Sequence, residues 1–69
     1  MSNYNPQAIF KDLAKRYDED ELIDRCRYEA HIDHVRPSTV LRQWIENFYG
    51  VNRQVSSVVA NYYSKKYGL

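Results

Sequence analysis

Apolar residues in this chain recur at intervals of three and four, in four runs separated by polar breaks. That spacing lays a stripe along one side of an α-helix, and no run keeps the period of two that a half-buried strand requires. Ile9, Phe10, Leu13, Ala14 and Tyr17 form the first stripe. Asn5 stands before it as a capping residue, and Pro6 takes the first helical position, where a missing N–H is harmless. The pattern predicts a helix over about 6–17.

Leu22, Ile23, Cys26 and Ala30 make the second stripe, on a helix over about 19–31. Asp18 and Glu21 stand at capping-box spacing, with aspartate in place of the usual Ser or Thr. The run Asp18-Glu19-Asp20-Glu21 puts negative charge at a helix start, where the macrodipole favours it. Residues 31–37, His-Ile-Asp-His-Val-Arg-Pro, read as a connection. Pro37 disfavours helical geometry at Arg36, and Ser38 is a good cap directly after it.

The third run is the most amphipathic: Val40, Leu41, Trp44, Ile45, Phe48 and Tyr49 predict a helix over about 39–49. Trp44 lies mid-stripe and is expected to be largely buried. Gly50 supplies a left-handed stop. Asn52 then caps a fourth helix over about 53–66, with Val55, Val58, Val59, Tyr62 and Tyr63 as its expected inner stripe. Lys65 and Lys66 fall near its end, where cations are favoured, and Gly68 closes it. The expected fold is all-α, a compact domain of four helices spanning residues 1–69.

Length limits what such a fold can do. A domain of 69 residues buries only roughly 60% of the surface its unfolded chain exposes, leaving little room for an enclosed substrate pocket. Cys26 is the only cysteine, so no disulfide forms within the chain, which suits a reducing compartment. The start, Met1-Ser2-Asn3-Tyr4-Asn5-Pro6, has neither the basic region nor the apolar run of a secretory signal. No stretch approaches the roughly 18 apolar residues of a spanning helix. The expectation is a cytoplasmic protein with no membrane contact.

Candidate chemistry is sparse. Cys26, His31 and His34 are three potential metal ligands where structural zinc takes four, and Asp33 or Glu29 would have to complete the set. A Cys–His nucleophile pair needs an orienting third group, an oxyanion site and a cleft. The only two glycines close helices, so none cradles phosphate, and the carboxylates cluster at a helix start instead of pairing in an apolar pocket. The residues point to no metal, no cofactor and no enzyme.

Net charge is only +1, but its distribution is uneven. Residues 1–34 carry five basic and eight acidic side chains, giving −3, whereas residues 35–69 carry five basic and one acidic, giving +4. Such asymmetry points to a polar partner surface in the second half.

Within that half, Gly50-Val51-Asn52-Arg53-Gln54-Val55-Ser56-Ser57-Val58-Val59 resembles the helix-turn-helix of bacterial and phage transcription regulators, the lactose-repressor type in particular. In that family a glycine ends the supporting helix, an apolar residue follows, and a polar cap starts the recognition helix. Gly50, Val51 and Asn52 match these roles in order. Ile45, five before the glycine, and Val59, nine after it, also match apolar positions of the family. Glu46 stands where the family prefers a small residue, and Ser56 where it wants an apolar one. Val55 is expected to carry the apolar character instead, a slip of one residue that turns a helix face by about 100°. The resemblance covers about 20 of the 69 residues.

The resemblance implies a transcription regulator that binds DNA through its fourth helix. Arg53, Gln54, Ser57, Asn61, Ser64 and Lys65 are its expected outward phases. Arginine can address guanine, and glutamine or asparagine adenine, in the major groove. Ser38, Thr39 and Arg42 on the supporting helix would hold phosphates, with Lys66 and a tyrosine hydroxyl assisting. Proteins of this type and size often pair, so a homodimer is a further expectation. The alternative is a small regulator, such as a phage encodes, that binds and inhibits a larger protein like RNA polymerase. Near-neutral charge, seven tyrosines and an acidic first half favour it.

Overall fold

Four capped helices account for most of the chain: α1 (Pro6–Arg16), α2 (Glu19–Asp33), α3 (Pro37–Tyr49) and α4 (Arg53–Tyr67). They come from a computed structural model describing residues 4–69; Met1, Ser2 and Asn3, part of the start read above as no signal, lie outside the described residues. No strand occurs among the described residues. No described helix is long and apolar enough to cross a membrane.

The caps are those the local sequence demands. Asn5 Oδ1 accepts from the Ala8 N–H at 2.8 Å, and Asn52 Oδ1 accepts from the Val55 N–H at 3.0 Å. Asp18 Oδ1 accepts from the Asp20 and Glu21 N–H groups at 2.9 and 3.4 Å, ahead of three acidic residues in the first turn of α2. Each bond satisfies a donor that the helix itself leaves orphaned.

The connection between α2 and α3 is shorter than expected. α2 runs two residues past His31, and His34 ends it in the left-handed region at φ 57°. α3 begins at Pro37, not after a Ser38 cap: Arg36 is the N-cap and makes no side-chain cap bond. Proline fits the first turn because its φ is already helical and its missing N–H would have been an orphan.

All four helices contribute to one core of Ile9, Leu13, Leu22, Ile23, Cys26, Leu41, Ile45, Tyr49, Val59, Ala60 and Tyr63. α3 packs most extensively, against α4 and α2, and α1 closes onto α4. The Cα radius of gyration, 11.2 Å, equals the ~11 Å expected of a compact chain this long.

Three inner stripes differ from the periodic reading. On α3 the buried row is Leu41, Ile45 and Tyr49, and Trp44 is only half-buried in the neighbouring row with Val40 and exposed Phe48. The two rows are one residue out of phase, about 100° around the helix, and the core is too thin to cover both. On α4, Val58 and Tyr62 are 53% and 49% exposed, while Ser56 and Ala60 take the inner places. On α1, Ala14 is exposed. The α2 stripe of Leu22, Ile23, Cys26 and Ala30 is buried throughout.

The left-handed geometry of His34 is a local strain that a glycine would not feel. His34→Gly is expected to stabilise the fold by about 1 kcal/mol, raising the Tm by about 4–8 °C. A melting temperature equal to or below the parent's, by circular dichroism, would contradict this account of the turn.

Candidate nucleic-acid interface

The geometry of the fourth helix starts at Gly50. It ends α3 at φ 63° and ψ 35°, a conformation that suits a residue without Cβ. Val51, half-buried, packs against the core, and Asn52 caps α4. Ile45 and Val59 are fully buried on the facing helices.

Ser56 decides how α4 is turned. Val55 was expected to replace it on the inner face, yet Ser56 is fully buried and Val55 only partly so. The Ser56 hydroxyl donates to the Arg53 carbonyl at 3.0 Å, so its burial leaves no unsatisfied polar atom. Glu46, at the place of a small residue in the resemblance, is half-buried and accepts from Arg42 Nη1 at 3.2 Å.

With Ser56, Val59, Ala60 and Tyr63 inward, α4 presents exposed Gln54, Val58, Asn61, Tyr62 and Lys65. Arg53 is exposed at its first turn, and Ser57 is half-buried at the edge of this face. Ser64, read above as outward, is half-buried and donates to the Ala60 carbonyl at 2.7 Å. Gln54, Asn61, Arg53 and Lys65 have no side-chain hydrogen bond or ion pair among the described residues.

The supporting residues divide into free and engaged. Arg42, expected to hold phosphate, is half-buried and tied to Glu46. Lys66 is exposed, but its Nζ lies 2.8 Å from Glu19 Oε2 and 5.9 and 5.7 Å from the ring centroids of Tyr62 and Tyr67. Ser38 and Thr39 are half-buried in the first turn of α3. Arg36, absent from the sequence-based candidates, is exposed beside them and makes no cap bond. Its charge is plain in the sequence, but a segment that reads as a connection assigns it to no face.

The polar contacts between α2 and α4 fall at the C-terminal end of α4. Glu19 also accepts from the Tyr67 hydroxyl at 3.0 Å, and Arg27 Nη2 donates to the Tyr67 carbonyl at 2.8 Å. These contacts hold Glu19 and Arg27 of α2 against the last turn of α4, away from Arg53 and Gln54. The Lys66 hydrogen bond holds the Glu19 carboxyl below its ordinary 4.5, against an opposing effect of burial.

A second surface is aromatic. Trp44 and Phe48 stack with centroids 4.9 Å apart and planes 15° from parallel. Tyr17 meets both edge-on at 5.5 and 6.1 Å, and Phe48 is 44% exposed.

The metal and thiol candidates do not converge. Cys26 is buried in the core, where burial pushes its thiol up to about 11, while His31 and His34 are exposed. Among the described residues no three His, Cys, Asp or Glu side chains are grouped to hold a metal ion.

Lys66→Ala is expected to lower the Tm at neutral pH and low salt, with a smaller deficit at high salt. The sign follows from Glu19: a lowered carboxyl pKa stabilises the fold above its ordinary 4.5, and that stability is lost as pH falls through the lowered value. A deficit equally large in strong acid would show that the pair is not its source. Comparison of the chain with models of known families, with curated proteins and with solved structures yields no match.

Proposed function

We propose that the chain is a small DNA-binding regulator in which α4 enters the major groove and α3 supports it as in a helix-turn-helix. The observation that carries this reading is the outward face of α4. Gln54, Asn61 and Lys65 stand exposed there without partners among the described residues, on a helix fixed by a left-handed glycine turn and a buried Ser56. Short amides on such a face present the paired donors and acceptors that recognise base edges.

In this role Arg53, Gln54, Ser57 and Asn61 approach the bases. Lys65 contacts phosphate, with Arg36, Ser38 and Thr39 doing so from the start of α3. Arg42 and Lys66 already hold Glu46 and Glu19, so they contribute only by exchanging one anion for another. With a net charge of +1 and few free cations, non-specific affinity is low and selectivity rests on base contacts. Catalysis has no part in the proposal, and two copies would allow two half-sites to be read.

The aromatic surface favours a second reading, a larger protein partner such as RNA polymerase. Stacked Trp44 and Phe48, the latter exposed, resemble the aromatic anchors that dominate protein interfaces.

Titration of labelled genomic fragments at low and moderate salt separates the two. The DNA reading expects Asn61→Ala to cost about 1–3 kcal/mol and to relax sequence preference. Lys65→Ala should weaken all sequences alike and lower the salt slope by about one. Both side chains are exposed, so the melting temperatures should stay near the parent's. A parent protein that binds no fragment more tightly than non-specific levels at low salt would sink the DNA reading and promote the aromatic surface.

A further inference from the structure

Val58 is 53% exposed in the middle of a polar face, although its β-branched side chain belongs by composition to the inner stripe. Gln54 precedes it by one turn and Asn61 follows three residues later, both exposed and unpartnered among the described residues. Asn61 lies seven positions along the helix from Gln54. At 3.6 residues per turn they share one side within about 20°, roughly 10 Å apart along the axis. DNA rises about 3.4 Å per base pair, so this span covers about three base pairs.

We infer that α4 selects an A·T-rich segment, with Gln54 and Asn61 each engaging an adenine and Val58 packing on the C5-methyl group of a thymine between them. This rests on the DNA-binding reading and adds the base composition of the target. The chemistry is specific to these side chains. An amide matches the N7 acceptor and N6 donor of adenine in one planar pair, whereas guanine offers two acceptors and suits arginine. Only thymine projects a methyl group into the major groove. Arg53, the guanine reader among the candidates, stands about 100° around the helix from Gln54. Any guanine therefore lies at the flank of the site, outside the central segment. Tyr62, 49% exposed and held edge-on by Phe10 at 4.8 Å, extends the apolar side of the face next to Val58.

The experiment begins with selection from randomised duplexes by the full chain at low salt. The selected sites should be enriched in A·T over about three to four adjacent base pairs. Deoxyuridine is then substituted for thymine at each selected position in turn. It keeps the pairing and the O4 acceptor and removes only the methyl group. One position should weaken parent binding about fourfold, the effect of one buried methyl. Val58→Ala should bind the thymine duplex about as weakly as the parent binds the deoxyuridine duplex, and should not distinguish the two. Because Val58 is exposed, its truncation should leave the fold intact, as a melting curve checks. Selected sites rich in G·C, or parent binding indifferent to deoxyuridine at every position, would overturn the base assignment while leaving DNA binding in place. Failure to retain any duplex would overturn both.

Discussion

The rotation of α4 about its own axis decides what this molecule shows to its surroundings, and Ser56 and Ala60 set that rotation. Both are nearly inaccessible, at 0% and 2% exposure, and both are small. Small side chains at i and i+4 let two helices approach closely, and the core closes over that row with Val59 and Tyr63 beside it. Had the more hydrophobic row of Val55, Val58 and Tyr62 turned inward, its larger side chains would have held the helices further apart. The outward amides would then have swung about 100° towards the neighbouring helices. The serine is tolerated inside because its hydroxyl returns to the Arg53 carbonyl. A buried hydroxyl without that bond would cost about 1–3 kcal/mol, a large share of the stability of a domain this small.

Electrostatics then divide α4 along its length. Its last turn lies among opposite charges: Glu19 receives Lys66 and Tyr67, and Arg27 reaches the terminal carbonyl of Tyr67. These contacts complement a helix C-terminus, where the dipole is negative and cations are favoured. They also anchor the acidic α2 start at that end, far along the helix from Arg53. Beyond about 10 Å, screening at ordinary salt removes most of the influence of those carboxylates. The acidic start of α2 therefore leaves the local charge of the first two turns of α4 largely unaltered.

Much of this architecture was legible in the sequence, for reasons that differ by element. Asn5, Asp18, Asn52 and Gly50 announced helix ends because capping and left-handed turns depend on single residues with few substitutes. The α2 stripe was legible because Leu22, Ile23, Cys26 and Ala30 are flanked by charged residues that leave one possible inner face. α3 and α4 carry too many apolar residues for that logic. Their stripes are wider than the core they meet, so periodicity alone could not choose between the Leu41 row and the Trp44 row, or between Ser56 and Val58. The candidate face was accordingly legible in Arg53, Gln54, Asn61 and Lys65 but not in Val58 and Tyr62. The pairing of Lys66 with Glu19 joins residues 47 apart, a separation that no local pattern encodes.

The composition of α4 is hard to explain as helix-building alone. α1 and α3 each use an i,i+4 ion pair, Arg16 with Asp12 and Arg42 with Glu46, which supports a helix locally. On α4 no such pair occurs among the described residues, and its middle reads Val55-Ser56-Ser57-Val58-Val59-Ala60-Asn61-Tyr62-Tyr63. Except for Ala60, every one of these residues ranks in the lower part of the helix-propensity scale. Burial accounts for Ser56, Val59 and Tyr63, and Tyr62 packs edge-on against Phe10, but neither accounts for exposed Val58 and Asn61. An outward face selected only for solubility and helix stability would carry Glu, Lys, Gln or Arg at these places. Departures from local preference without a gain in packing concentrate at functional surfaces, because recognition needs particular groups whatever the helix prefers. α4 carries that conflict at Val58 and Asn61, and α2 carries it at exposed Tyr28 and Ile32.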